Sequence, residues 1–162
     1  MRIKLNQFLN SIKDITPQNM TKIELISFDD TSKLDYLKAK KGFKYIYIIS
    51  ANTPCDIRKA FDDAKQNNSD RKYAKDNDSK LASYTLYVGS SQNIYARLNN
   101  HILGNYKKTY SMHMNTWFKE EFGSIYIQCI EFDKNINNDI LQLIEDTYWE
   151  QLQPMFGKQG KQ

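Results

Sequence analysis

Apolar positions along this chain follow two different periods, and the points where one gives way to the other mark its elements. The run Tyr45-Ile46-Tyr47-Ile48-Ile49 is aromatic and β-branched throughout and stops at Ala51-Asn52-Thr53-Pro54. It predicts a strand over Lys44 to Ser50 closed by turn chemistry. From Ser83 to Gly89, Tyr84, Leu86 and Val88 alternate with Ser83, Thr85 and Tyr87, the period of a half-buried strand. Asn93 then opens a helical stripe of Ile94, Leu98 and Ile102, which Gly104-Asn105 ends. After a Trp117-Phe118 segment, a third strand is predicted over Ile125 to Ile130. A last helix of about four turns runs from Asn138 to Gln153, closed by Pro154.

The flanking stretches are less regular. Ile3, Leu5, Phe8, Leu9 and Ile12 lie near helical spacing, and Thr16-Pro17 reads as the N-cap and first-turn proline of a second helical segment around Met20 to Phe28. Residues 1–43 are therefore expected to form an N-terminal helical extension. Asp56 is placed to cap a short helix with Ile57, Ala60, Phe61 and Ala64 on one stripe, and the polar run Lys65 to Lys80 is expected to be mobile or ordered by a partner. The resulting fold class is α+β, a small, mainly antiparallel three-stranded sheet flanked by helices. It occupies residues 44–157, with an insertion at about 54–80 between the first two strands and a tail at 158–162.

Composition narrows this picture in three ways. With 162 residues and 40% apolar content, the chain can bury one sizeable core. No apolar run approaches the roughly 18 residues of a membrane span, and Met1-Arg2-Ile3-Lys4 lacks the apolar stretch of a signal peptide, so a soluble, cytoplasmic protein is expected. Cys55 and Cys129 have neither CxxC spacing nor a clustered histidine, which points to free thiols. The net charge of +4 fits many classes of protein, but its distribution is uneven. Ser79 to Lys119 holds no Asp or Glu while carrying Lys80, Arg97, Lys107, Lys108, Lys119 and both histidines. Such a stretch suits a face that accepts phosphates, and equally a solvated surface of chance composition.

The last helix contains a local contradiction. Leu141, Ile144, Tyr148 and Leu152 form its apolar stripe, and Glu145 falls inside that stripe, about 40° from Leu141 and about 20° from Leu152. A carboxylate there must meet a cation, a metal or a cleft, because an unpaired buried charge costs several kcal/mol. One helix earlier, Arg97 and His101 are four residues apart and so neighbours on one face. Arginine offers a fork that matches phosphate oxygens, and histidine exchanges a proton near neutral pH.

Taken together these segments resemble the GIY-YIG nucleases. Tyr45-Ile46-Tyr47 is similar to the family's first strand, and Tyr87-Val88-Gly89 running into Ser90 to His101 is similar to its second strand and arginine helix. Leu143-Ile144-Glu145 to Pro154 looks like the helix in which that family's catalytic glutamate lies nine residues ahead of a proline. Tyr45 stands where the family usually has glycine, and Gly157 where many members have asparagine. The step of 40 positions from Tyr47 to Tyr87 exceeds the usual connection and marks the insertion, as in restriction-enzyme members.

The resemblance implies hydrolysis of a DNA phosphodiester by in-line attack of water at a site made of Tyr47, Tyr87, Arg97, His101 and Glu145. In that reading Glu145 is the metal ligand, for one Mg²⁺ or Mn²⁺ ion. Tyr47 helps to deprotonate the water, Tyr87 hydrogen-bonds within the cluster, Arg97 neutralises charge on the phosphate, and His101 orients Tyr47 or shares its proton. Lys80, Lys107, Lys108 and Lys119 are the candidate DNA-binding residues, with double-stranded DNA as partner and no membrane. A restriction-type enzyme acting as a homodimer, at least on DNA, is the leading reading. A repair or homing nuclease, an antibacterial DNase toxin and a DNA-binding module without cleavage remain as alternatives.

Overall fold

The computed structural model of the chain describes residues 16–52, 56–77 and 83–160. Four strands, β1 (Asn19–Leu25), β2 (Lys44–Ala51), β3 (Thr85–Ser91) and β4 (Ile125–Phe132), form one antiparallel sheet in the order β1-β4-β2-β3. β2 lies inside the sheet, and its continuous apolar run is what a strand covered on both faces requires. Successive side chains go to opposite faces. Tyr45, Tyr47, Ile49 and Ala51 enter one core, while Ile46 and Ile48 enter another.

Helices α1 (Ile57–Asn67), α2 (Ile94–Leu103) and α3 (Asn138–Leu152) complete the layers. α2 buries Ile94, Leu98 and Ile102 in the core that holds Tyr47, as its stripe predicts. The Asn93 side chain accepts from the Ala96 N–H at its start, and Gly104, at φ 63°, ends it. α3 covers the opposite face, with Leu141 buried and Ile144, Tyr148 and Leu152 packed beside Ile46, Ile48, Val88 and Ile130. Cys129 is a free thiol buried in β4. Tyr45, at the position that departs from the family pattern, donates a 2.5 Å hydrogen bond to the Glu131 carboxylate opposite it on β4.

The sheet has four strands where three were expected, because Asn19–Leu25 is a strand and not the helix that Thr16-Pro17 suggested. Thr21, Ile23 and Leu25 recur with period two and register against Cys129, Ile127 and Ile125 of β4. Strand pairing overrides a weak helix-start signal here. The helical part of the region follows as a 3₁₀ helix, Phe28–Ala39, which buries Leu34 and Leu37. The helix expected from Ile3 to Ile12 lies outside the described residues. β3 was expected to be half-buried, yet Thr85 to Gly89 are buried throughout. Its outer side meets the C-terminal segment, where Met155 and Phe156 donate their N–H groups to the Thr85 and Leu86 carbonyls.

The insertion also differs from expectation. α1 forms on the predicted stripe, though Asp56 makes no side-chain cap. Beyond it, residues 68–77 are part of the fold. Tyr73 and Ala74 are buried, and the N–H groups of Lys72 and Ala74 donate to the Lys107 and Ser111 carbonyls. Asn77 donates to the Met155 carbonyl, and Gly157 donates to that of Lys75. The polar side chains of this run conceal a backbone whose hydrogen bonds are made to distant parts of the chain. Phe61 of α1 stacks on Phe156 at 4.1 Å and meets the edges of Tyr73 and Trp117.

If the insertion is built into the core in this way, Phe61→Ala lowers unfolding free energy by about 3–5 kcal/mol, the usual loss for a buried phenylalanine. Urea denaturation followed by tryptophan fluorescence measures it. A midpoint equal to that of the unsubstituted protein would show α1 to be a dispensable appendage.

Candidate active site

Adjacent strands bring the first two tyrosines together. Tyr47 registers opposite Gly89, and Ile49 opposite Tyr87, so Tyr47 and Tyr87 are diagonal neighbours on one face of the sheet. Their rings are parallel to within 4°, with centroids 6.0 Å apart. Gly89 makes room for them. A Cβ at that position would lie 2.6 Å from the Tyr47 hydroxyl oxygen, so any side chain there displaces the phenol.

α2 brings Arg97 and His101 over these rings. Arg97 Nε donates to the Tyr47 hydroxyl at 3.0 Å, Nη2 to the Tyr87 hydroxyl at 3.1 Å, and Nη1 to the Tyr110 carbonyl at 2.9 Å. Three of the five guanidinium N–H groups are thereby committed, which leaves two for a ligand. His101 is fully buried, with Nε2 3.0 Å from the Tyr47 hydroxyl. Its tautomer follows from the other ring nitrogen. Nδ1 accepts the Met112 N–H at 3.2 Å, so in the neutral ring the proton is on Nε2 and donates to Tyr47. Burial, with Arg97 and then His113 nearby, holds the His101 pKa well below its ordinary value and keeps the ring neutral. The Tyr47 oxygen thus receives two donors. Burial pushes its pKa far up, opposed chiefly by the charge of Arg97.

Glu145 comes from the other face. Tyr47, Tyr87, Gly89, Ser90, Arg97, Gln142, Glu145 and Gly160 line one open cleft of about 160 Å³. Glu145 is 6% exposed, so the conflict read from its helical position is real. Burial raises its pKa, Asp146 adds to the rise, and hydrogen bonds from Ser90 and Gln142 pull the other way. The cleft therefore holds a desolvated carboxylate across from an arginine with two uncommitted donors. Among the described residues no group of three or more His, Cys, Asp or Glu could hold a metal ion.

All five residues singled out from the sequence therefore meet within one polar cluster. The lysines do not. Lys107 pairs with Asp70, Lys108 is exposed, and Lys80 lies outside the described residues. Lys119 is exposed beside Glu121 and lines a hollow at the end of β1, the sheet edge opposite β3. Sequence reading missed Gly89, Ser90 and Gln142, and also the Tyr110 carbonyl and Met112 N–H. Gly89 was legible as the third residue of Tyr87-Val88-Gly89. The two backbone groups were not, because they belong to a loop with no periodicity. That loop is held by the insertion through the Lys72 and Ala74 hydrogen bonds to Lys107 and Ser111.

A comparison with family models matches residues 43–159 to the model described as the GIY-YIG catalytic domain. No curated protein and no solved structure matches the chain.

The burial of Glu145 has a measurable effect on stability. Because its folded-state pKa is raised, the charged form destabilises the fold above that pKa, and the penalty vanishes as pH falls towards the unfolded-state value. Glu145→Gln without added metal is expected to be more stable than the unsubstituted protein by roughly 1 kcal/mol at pH 8. The gap should close on acidification towards pH ~4.5. Urea titrations across pH measure both, and a pH-independent difference would mean that the carboxylate is well solvated.

Proposed function

The chain belongs to the GIY-YIG catalytic-domain family and is a nuclease of that superfamily, and from this premise we propose a metal-dependent DNA endonuclease of restriction type that cuts duplex DNA as a homodimer. The reading rests on one arrangement: a tyrosine oxygen held by an arginine and a histidine, facing the same cleft as a buried glutamate. A module that had lost cleavage would have no need to keep all of these groups.

The donor set fits a hard divalent ion. Glu145 offers carboxylate oxygens to an open cleft, burial raises its pKa against the opposing pull of Ser90, Gln142 and Arg97, and a single protein carboxylate suits Mg²⁺ or Mn²⁺, which retain waters and take phosphate oxygens. Glu145 would hold one ion, and when bound it supplies Lewis-acid polarisation of the phosphoryl oxygen and a more acidic water.

The remaining steps belong to the protein's own side chains. The two free N–H groups of Arg97 take a phosphate oxygen and oppose the charge that develops there, while its other three fix the guanidinium against Tyr47, Tyr87 and Tyr110. Tyr47 takes a proton from the attacking water only as the phenolate, once its own hydroxyl proton has left to solvent through the open cleft, a loss that burial opposes and the charge of Arg97 favours. As a neutral phenol it already accepts two hydrogen bonds, and both favour the phenolate over the phenol. His101 has the role of orienting Tyr47. Its Nε2–H donates, and accepting the tyrosine proton there would require moving the ring proton to Nδ1, against the Met112 N–H. Tyr87 holds the second arm of Arg97 and walls the cleft.

The restriction-type reading draws on the insertion between β2 and β3, since such insertions occur in restriction-enzyme members of the family. A single centre cuts one strand per encounter, so a defined double-strand break requires two copies about the local two-fold axis of DNA.

Pure protein incubated with plasmid and Mg²⁺ should yield linear DNA with one class of end, and light scattering should show a dimer on the cut sequence. A monomer giving only nicked circles overturns the restriction reading and keeps the nuclease. Glu145→Gln should abolish cleavage while retaining DNA affinity, and Arg97→Ala should slow it by at least ~10²-fold, as loss of a donor to a developing oxyanion does. Undiminished turnover in either variant removes that residue from the site.

A further inference from the structure

A second hollow, of about 560 Å³, adjoins the cleft between the insertion and the C-terminal segment. Its cations are Lys65, Arg71, Lys72, Lys75 and Lys158, and no carboxylate is among its lining residues. In a chain whose whole net charge is +4, that is a marked local concentration. Arg71 is committed to the Gly104 carbonyl, but among the described residues Lys65, Lys72, Lys75 and Lys158 have no ion-pair partner.

Two features join this hollow to the catalytic groups. The first is Tyr87, which lines both. Gly157, at φ 98°, presses its backbone so closely on the Tyr87 ring that a Cβ would lie 2.8 Å from Cε2, so no side chain projects from that position across the Tyr87 wall. The second is Tyr110. Its carbonyl accepts from Arg97, and its exposed ring lies in the hollow with the Lys72 ammonium 5.3 Å from the centroid.

We infer that this hollow seats the phosphate backbone of the DNA strand being cut, to one side of the scissile phosphate. The inference rests on the nuclease reading of the adjoining cleft. A strand leaving Arg97 past Tyr87 enters it directly, and its successive phosphates then meet Lys72, Lys75 and Lys158. Exposed tyrosine beside lysine is the combination that tracks a nucleic-acid backbone and its bases. The insertion supplies Lys72 and Lys75 and also holds the loop carrying Tyr110, so one segment both grips the strand and braces Arg97.

The test is duplex binding in EDTA, where no cleavage occurs, with a fluorescein-labelled 30-base-pair DNA followed by anisotropy at several salt concentrations. Lys72→Ala, Lys75→Ala and Lys158→Ala combined should weaken binding and lower the magnitude of the log-log salt slope by roughly 2–3, about one per phosphate contact. Lys22→Ala, Lys41→Ala and Lys134→Ala combined remove the same charge elsewhere and should leave the slope unchanged. Circular dichroism checks the fold of both. An unchanged slope in the first variant, while the unsubstituted protein cuts plasmid, overturns the hollow and leaves the nuclease reading intact. Equal loss in both variants reduces it to net charge and also overturns it. A groove-dependent slope without any cleavage supports the hollow and overturns the enzyme, and a protein that binds no duplex even at low salt overturns both. Displacement of the DNA by polyglutamate at equal charge would assign the hollow to acidic proteins and overturn the proposal.

Discussion

The buried oxygen of Tyr47 is the point on which the molecule converges. It accepts from Arg97 and His101, and each donor is itself fixed by a backbone group of the loop between α2 and β4. A largely buried polar cluster is stable only when the groups it withdraws from water find partners, since an orphaned buried group costs about 1–3 kcal/mol. The pairing of β2 with β3, the absence of a side chain at Gly89 and the register of α2 all serve that requirement. The insertion does so at one remove, by holding the loop. It is for this reason structural, although its sequence looks like a spacer.

The same compactness explains the tension around Glu145. On the Tyr47 side three Arg97 N–H groups meet oxygen acceptors, whereas Glu145 reaches the cleft from the opposite layer, where burial and Asp146 outweigh the pull of Ser90, Gln142 and Arg97. Such a carboxylate works against folding and is poised to receive a cation and a phosphate. Local destabilisation at a site of chemistry is a common consequence of arranging groups for a ligand and not for each other. The basic hollow beside Tyr87 has the complementary character, with several cations and no internal acid.

Several elements could be read from the chain alone because local physics decides them. The β2 run, the Asn93 cap with Gly104 at the far end of α2, and the stripe of α3 each depend on residues a few positions apart. Glu145 was legible as a contradiction within its own helix. Arg97 and His101 were legible as a pair, since one helical turn places them together. The lysines were chosen by density along the sequence, which says nothing about which face they occupy. The cations that do share a surface, Lys65 to Lys75 with Lys158, come from stretches far apart in the chain.

The types of β2, β3, β4, α2 and α3 and the anomaly of Glu145 were thus set by sequence, through periodicity, caps and spacing, while the two tyrosines were singled out by the resemblance to the family. Tertiary structure alone decided that Asn19–Leu25 is a strand, because its hydrogen-bond partner β4 lies about a hundred positions away. It alone decided which tautomer His101 carries, through the Met112 N–H, and how many Arg97 donors stay free, through the Tyr110 carbonyl. Those partners are backbone groups that every residue possesses. Which of them faces a given side chain is settled only when the chain closes on itself.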